Sequence, residues 1–322
     1  MDIVSVIIPF FALVLIGYLA ARSRALPLEA VAGLNTYVLY FALSALLFRL
    51  GAQTPVLDLL DPTLLGVWLT AGLLVMAPAV LPAVRAGRGW LDGSLGGLIA
   101  ILPNSGFMGL PLIAALVGAD SAGPIITTLL VDIVLMQSIA IALSQRDHTG
   151  SGTALHQVGA AMRRVARNPM PWAIVLGAAW GVTGWRLAGP VDDVLAMLAD
   201  SATPVALFTI GAVLARQQMR AREAGHPPAG LLSSDIPWLT GLKLVAHPLT
   251  VWALGWAAIR AGLPLPESAL VVLVLVAALP SATNASMLAE RLGADNGRIA
   301  SVIMASTAIG FASFTAAVAL LV

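Results

Sequence analysis

The sequence predicts an all-α membrane protein, and three observations support this prediction. Of the 322 residues, 59% are hydrophobic and only 10% are charged, whereas soluble domains carry about 25% charged residues. The mean hydropathy of +0.93 points the same way. The apolar residues form long stretches without the period-2 alternation of a β-barrel. Soluble enzymes, disordered proteins and nucleic-acid-binding proteins are therefore disfavoured, and the absence of Cys excludes disulfides and thiolate chemistry.

Ten apolar stretches are each long enough to cross a bilayer, which requires about 20 residues in a helix. The first is not expected to be a signal peptide, because Asp2 precedes it and Arg22 and Arg24 follow it, the reverse of the usual charge order. In chain order the predicted spans cover residues 3–21, 30–48, 62–84, 93–119, 121–145, 168–185, 194–215, 236–259, 268–289 and 299–322.

The basic residues predict the orientation of these spans. With an external N-terminus, the inner ends and loops hold 14 of the 17 Arg and Lys residues. Only Arg49, Arg186 and Arg260 remain on the outer side. Because basic residues accumulate on the cytoplasmic side of membrane proteins, we expect a multi-pass protein of the cell membrane with both termini external.

The chain divides into two halves of five spans each. Residues 1–145 form the first half, residues 146–167 form a cytoplasmic linker, and residues 168–322 form the second half. Because five is odd, the two halves enter the membrane from opposite sides. If they are related, they are inverted repeats about an axis in the membrane plane.

Spans 4 and 9 occupy matching positions in the two halves, and each contains a proline with a nearby asparagine. Proline removes a backbone donor and clashes with the preceding turn, which breaks or kinks a helix. Broken spans in corresponding positions indicate a transporter's binding site, although a simple proline kink remains the structural alternative. The candidate binding residues are Pro103, Asn104, Ser105, Gly106, Pro280, Thr283 and Asn284.

The two asparagines are the first candidates for holding a ligand. Each amide offers two donors and one acceptor, and the half helix that follows each break begins near mid-membrane with free N–H groups. We expect such a site to hold a carboxylate without a basic residue, since none is predicted at mid-span. The alternative is that each Asn only caps a broken end.

Four further polar residues lie within predicted spans and are candidates for coupling or support. Asp132 lies at the middle of span 5, where a charge is costly, so we expect it to be protonated, paired or in contact with cavity water. Asp200 either lines an outer cavity or lies at the interface. Lys243 is expected to snorkel to the headgroups, and His247 shares its helix face. The tryptophans, including Trp68, are interpreted as interfacial or lipid-facing.

Several motifs resemble the auxin efflux carrier family. In chain order, they are residues 34–48 (LNTYVLYFALSALLF), 103–111 (PNSGFMGLP), 200–211 (DSATPVALFTIG), Lys243-Leu244 with Pro248, and 278–290 (ALPSATNASMLAE). The resemblance spans nearly the whole chain, and one departure is Ser44, where relatives usually have Pro. It implies ten transmembrane helices in two inverted five-helix repeats, with helices 4 and 9 broken and crossing at the substrate site. The short central loop resembles bacterial members, so the resemblance implies a bacterial inner membrane.

The resemblance implies a secondary transporter of a small organic carboxylate that works by alternating access. Proton coupling, the direction of transport and a homodimeric state stay open. The alternatives are a Na⁺-coupled organic-anion symporter of the bile-acid type, a channel and an intramembrane enzyme. The enzyme is disfavoured, because no metalloprotease, nucleophile-elbow or paired-aspartate motif is present. No cofactor, metal or nucleic acid is expected.

Overall fold

A computed structural model of the chain describes residues 3–53, 61–146, 168–223 and 235–322, and these residues form helices without a β-strand. The predicted all-α class is therefore confirmed for the described part of the chain. In chain order the helices are α1 (Ile3–Arg22), α2 (Ala30–Gln53), α3 (Pro62–Arg85), α4 (Gly89–Ile101), α5 (Ser105–Val117), α6 (Ala122–Ser144), α7 (Pro169–Thr183), α8 (Gly189–Glu223), α9 (Ile236–Arg260), α10 (Glu267–Ala278), α11 (Asn284–Leu292) and α12 (Asn296–Leu321).

Among the described residues, seven helices are long and apolar enough to cross a membrane: α1, α2, α3, α6, α8, α9 and α12. The multi-pass character is therefore confirmed. The predicted spans 93–119 and 268–289 each form two shorter helices, and the predicted span 168–185 forms the 15-residue α7. Helix α8 extends beyond the predicted 194–215 at both ends. Apart from Arg146, the predicted linker 146–167 lies outside the described residues.

Glycines allow two pairs of helices to approach each other closely. A Cβ atom on Gly17 of α1 would lie 1.9 Å from the Phe208 carbonyl oxygen of α8, and one on Gly211 would lie 1.8 Å from the Val14 carbonyl oxygen. Helices α2 and α7 meet in the same way at Gly177. Small residues at such contacts let the two backbones pack directly. Helices α1, α2, α7 and α8 thereby form one group, and the other helices pack mainly on one another.

The two helices that precede the breaks lie at the centre of the second group. Residues 93–101 of α4 are all buried, as are residues 269–278 of α10 apart from the half-buried Val271. A helix that is apolar all round is stable only where protein or lipid surrounds it completely, and here protein surrounds it. Large apolar side chains such as Leu15, Trp172 and Trp252 are instead exposed on the outer helices, as expected for a lipid-facing surface.

In the described part of the chain, four helices contain a π-helical turn, a feature that often occurs at functional sites. In α2 the Ser44 hydroxyl donates to the Leu39 carbonyl at 2.9 Å, so the position where relatives usually have Pro is accommodated in a continuous helix. Two of the other turns carry the charged residues Asp132 and Lys243. The π-helical turns are Val38–Ala42, Ser105–Gly109, Val131–Met136 and Leu242–Ala246.

Candidate functional site

The two helix breaks meet through their backbones. The Asn104 amide donates to the Pro280 carbonyl at 2.9 Å, and the Ala282 amide donates to the Leu102 carbonyl at 2.9 Å. Pro103 and Ser281 form an antiparallel bridge between these two bonds. We call this paired region, residues 102–104 and 280–282, the junction. Backbone groups that have no helical partner at one break are thus paired with the other break, which stabilises the broken backbone inside the protein.

The prolines also explain the backbone conformation at the junction. A residue that precedes proline is pushed away from the helical region. Leu102 has ψ of 105° and Leu279 has ψ of 153°, both in the extended region. The two segments are therefore extended where they pair.

Ser281 fastens the junction to the surrounding helices, a role that the sequence analysis missed. Its hydroxyl donates to the Ile99 carbonyl at 2.9 Å, and its backbone amide donates to the Ser306 hydroxyl at 3.1 Å. All three residues are buried. Ser281 thus holds the second break against both α4 and α12.

A small cavity of about 30 Å³ lies beside the junction. This is about the volume of one water molecule. Most of the predicted binding residues line this cavity. Gln137 and Met170, which were not among the candidates, line it as well. The polar and proline residues that line it are Pro103, Asn104, Ser105, Asp132, Gln137 and Asn284, and Gly106 lines it through its backbone.

Two other predicted binding residues lie next to this cavity without lining it. Pro280 takes part in the junction through its carbonyl group. Thr283 is buried and occupies the N-cap position of α11, where its side chain makes no capping hydrogen bond. Both residues shape the backbone that carries Asn284.

Three oxygen atoms around the cavity are buried without a hydrogen-bond partner: Ser105 Oγ, Asp132 Oδ2 and Asn284 Oδ1. Leaving a buried polar atom unpaired costs about 1–3 kcal/mol, so three in one place indicate a site that receives a ligand, a proton or water. The α5 and α11 helices begin at the same cavity, at Ser105 and Asn284. Their free N-terminal N–H groups favour an anion.

Asp132 is anchored on one side by a tryptophan. Trp68 Nε1 donates to Asp132 Oδ1 at 2.9 Å, and Trp68 is only 1% exposed. The interpretation of Trp68 as an interfacial or lipid-facing residue is therefore wrong. The other carboxylate oxygen, Oδ2, is buried without a partner, and Asp132 lines the cavity.

Lys243 does not snorkel to the headgroups, because its side chain is fully buried. Its Nζ donates to the Ala277 carbonyl at 2.7 Å and lies 3.3 Å from His247 Nδ1. The His247 ring in turn packs against the Trp68 ring, with their centroids 5.1 Å apart. The interior therefore contains a basic residue, contrary to the expectation that none lies at mid-span.

Asp200 does not belong to this cluster. It is exposed on α8, in the other group of helices, and it does not line the cavity beside the junction. The expectation that it lines an outer cavity finds no support in its surroundings. The interfacial alternative fits its exposure better.

A second, larger cavity of about 650 Å³ lies at the helix ends that are predicted to be external. It is lined by Gln53, Asp61, Leu64, Asp120 and Ser268, among others. Its size falls within the range of small-molecule sites, about 300–1,000 Å³. Leu64, which lines this cavity, lies one helical turn from the buried Trp68 on the same face of α3.

Comparisons with known proteins agree with this architecture. A protein of Rhizobium meliloti (strain 1021), provisionally named a malonate transporter, is 27% identical over 317 residues, which cover 98% of this chain and 94% of the relative. An uncharacterized transporter of Methanothermobacter thermautotrophicus is 27% identical over 310 residues, or 95% of this chain and 94% of the relative. Auxin efflux carrier component 8 of Arabidopsis thaliana is 24% identical over 270 residues, or 67% of this chain and 72% of the relative.

These relatives are named as transporters and not as enzymes, which confirms that the chain belongs with transport proteins. A family model described as membrane transport protein matches residues 2–319. Because this match covers nearly the whole chain, the protein belongs to the membrane transport protein family, which is the auxin efflux carrier family that its motifs resemble.

Proposed function

We propose that the protein is a secondary transporter that moves a small organic carboxylate across the membrane by alternating access. The observation that carries this proposal is the junction, where two broken helices meet beside a polar cavity. Discontinuous helices at mid-membrane are the usual binding elements of such carriers. The name of the Rhizobium relative supports a carboxylate as the substrate.

The proposed substrate site consists of the cavity beside the junction. Asn104 and Asn284 donate to the carboxylate through their amide groups, and the α5 and α11 N-termini add backbone donors. Ser105 supplies a hydroxyl that is otherwise unpartnered. Lys243 contributes positive charge from behind the cavity, since it is buried near Asp132.

The size of the cavity supports a conformational cycle. About 30 Å³ is too little for a carboxylate ligand, so the helices around the junction must separate before it binds. The 650 Å³ cavity provides the outer approach, and the buried Trp68 lies one helical turn from Leu64 in its wall. In the proposed cycle α1, α2, α7 and α8 form the fixed scaffold, and the group that holds the junction moves against them.

The proposed topology has two inverted five-helix repeats, residues 1–145 and 168–322. Helices α4 with α5, and α10 with α11, then form the fourth and ninth membrane spans and cross at the junction. Both termini are external, in a bacterial inner membrane. The concentration of basic residues at the predicted inner ends supports this orientation.

Asp132 is the proposed site of proton coupling. An ionised carboxylate beside the cavity repels an anionic substrate, whereas the protonated group removes the repulsion and donates a hydrogen bond. The unpartnered Oδ2 supports this role. Substrate binding and proton uptake are then thermodynamically linked.

A proteoliposome experiment tests the proposed function. The purified protein is reconstituted, and uptake of radiolabelled malonate and a panel of other small mono- and dicarboxylates is measured with imposed pH or Na⁺ gradients. We expect saturable uptake with counterflow for at least one carboxylate. Linear, non-saturable flux without counterflow would instead indicate a channel, and no flux of any carboxylate would refute the substrate class.

Na⁺ coupling is the second candidate, and one observation favours it. The cavity brings together oxygen atoms of Asn104, Ser105, Asp132 and Asn284, and oxygens are the ligands of hard cations. Uptake that requires a Na⁺ gradient and is indifferent to the pH gradient would select this mechanism over proton coupling.

A further inference from the structure

Lys243 has an unusual position for a lysine. It is the only lysine in the 322-residue sequence, where every other basic side chain apart from His is Arg. It is fully buried and lies in the π-helical turn of α9. A long, flexible and strongly hydrated side chain is rarely buried without a specific partner.

The partners of Lys243 identify what it does there. Its Nζ donates to the carbonyl of Ala277, one residue before the end of α10. Carbonyl groups in the last turn of a helix lack intrahelical donors, and the helix dipole concentrates negative charge at this end. The ammonium group therefore satisfies a carbonyl that the break in the chain has exposed.

Asp132 completes the charge balance. Among the described residues, it is the acidic group whose charge acts on Lys243. Trp68 and His247 connect the two residues, since Trp68 donates to Asp132 and packs on the ring of His247, whose Nδ1 lies 3.3 Å from Lys243 Nζ. One buried positive charge thus faces one buried carboxyl and the negative end of a half helix.

In ion-coupled carriers with broken helices, the C-terminal ends of half helices and unwound carbonyls coordinate Na⁺. We propose that the Lys243 ammonium is a tethered cation that takes the place of such an ion at the end of α10. The core of this protein then needs no Na⁺ to hold the broken helix beside Asp132. The consequence for coupling rests on the proposed transport function, whereas the role at α10 does not.

Lysine is suited to this role because its charged group is covalently attached to the protein. A bound ion must be captured at each cycle, but a tethered ammonium stays at the Ala277 carbonyl with no loss of translational freedom. Removing the side chain leaves that carbonyl and Asp132 without their cation. It also leaves a space that a small free cation fits.

Chemical rescue provides the main test. Lys243→Ala is purified in detergent, and its unfolding temperature is measured in methylammonium chloride, NaCl or choline chloride at equal ionic strength. We expect methylammonium and Na⁺ to raise the unfolding temperature of Lys243→Ala by about 2–4 °C over choline. Wild type and Lys243→Met should not respond to methylammonium, because the ammonium and the apolar side chain respectively fill the space.

A direct measurement on wild type keeps the test independent of the variants. Because the sequence has one lysine, labelling with lysine that carries ¹⁵N at Nζ yields one side-chain resonance. We expect the chemical shift of an ammonium at neutral pH. The shift of a neutral amine would overturn the proposal even if Lys243→Ala does not fold.

Further results of the rescue experiment would also refute the proposal. Equal responses of Lys243→Ala and Lys243→Met to methylammonium, or a response of wild type to methylammonium as large as that of Lys243→Ala, would refute the tethered cation. Neither measurement uses a substrate, so the absence of uptake of every carboxylate in the panel would refute the proposed substrate class and leave this proposal standing. If wild type takes up malonate without Na⁺, we expect uptake by Lys243→Ala to require methylammonium or Na⁺.

Discussion

Replacing Asp132 by Asn tests whether a proton is linked to substrate binding. The substitution keeps the oxygen that accepts from Trp68 Nε1 at 2.9 Å. At the other position it replaces the unpartnered Oδ2 by an NH₂ donor. The introduced amide therefore imitates the protonated carboxyl in charge, shape and donor position, and it cannot titrate.

The expected effect follows from linkage. If binding of the anion requires a protonated Asp132, one proton is taken up for each substrate bound. At pH values where the free protein has an ionised carboxyl, the Kd then rises about tenfold for each pH unit, or about 1.4 kcal/mol per unit. Binding is therefore strongest at low pH in wild type. In Asp132→Asn the Kd should stay constant with pH.

The assay measures the Kd of malonate, or of the tightest carboxylate from the flux screen, between about pH 5 and 8. Uptake driven by a pH gradient is measured in parallel. Comparing wild type with Asp132→Asn at the same pH cancels the effect that ionisation of the ligand itself has on the Kd. Asp200→Asn is the matched control, since it makes the same chemical change at an exposed site on α8, and it should keep the wild-type profile.

Two basic groups face the same cluster and must be considered in the result. Lys243 interacts electrostatically with Asp132, and His247 packs on the ring of Trp68. A slope that persists in Asp132→Asn but disappears in His247→Gln would assign the proton to the histidine. Identical pH profiles in wild type and Asp132→Asn would refute the coupling role and leave Asp132 as a hydrogen-bonding residue.

Three other outcomes are expected. Asn104→Ala and Asn284→Ala should each weaken carboxylate binding by about 1.5–3 kcal/mol through loss of a hydrogen bond to a charged ligand, and normal Kd and flux in both purified variants would remove them from the site. Gly152→Cys, in a chain with no native Cys, should resist an impermeant thiol reagent added outside intact cells; labelling would overturn the topology. Trp68→Phe removes the donor to Asp132 and should lower the free energy of unfolding in detergent by about 1–3 kcal/mol, and equal stability would contradict an energetically important bond.

The sequence was a good guide to helices and breaks, because the bilayer and proline act locally. A span needs enough apolar residues whatever its neighbours are, so the predicted ends of α1, α3 and α6 agree closely with the structure. Pro103 and Pro280 disfavour helical geometry at the preceding residue. Because Pro9, Pro78, Pro82 and Pro204 lie inside continuous helices, the additional signal is that Pro103 and Pro280 occupy matching positions, each with a nearby Asn. The two breaks could therefore be predicted from the chain alone.

The rotation of each helix was harder to predict, because it depends on distant partners. Hydropathy indicates how deep a residue lies but not which neighbour it faces. Lys243 and Trp68 lie on helices with exposed apolar faces, so an outward orientation was reasonable until α3, α6, α9 and α10 were seen to pack together. Asp200 shows the same dependence, since the sequence left both an outer cavity and the interface open, and the structure places the residue at an exposed position on α8.

The role of Ser281 could not be predicted from the sequence, for another reason. A serine within an apolar span gives no signal of its own, because its hydroxyl ordinarily bonds a carbonyl of the same helix. Here it bonds Ile99, which is 182 positions away in the chain. Only the matched position of the two breaks could have indicated that a hydroxyl near Pro280 faces the end of α4.

The junction has a consequence for protein engineering, because backbone groups form its two hydrogen bonds. A substitution at Asn104, Ser105 or Asn284 changes the chemistry of the cavity without removing a bond that joins the two breaks. Libraries that randomise these three positions together should therefore retain folded carriers in which ligand preference varies freely. In libraries that also randomise Pro103 or Pro280, most variants should fail to fold, since those residues determine the backbone conformation of the junction.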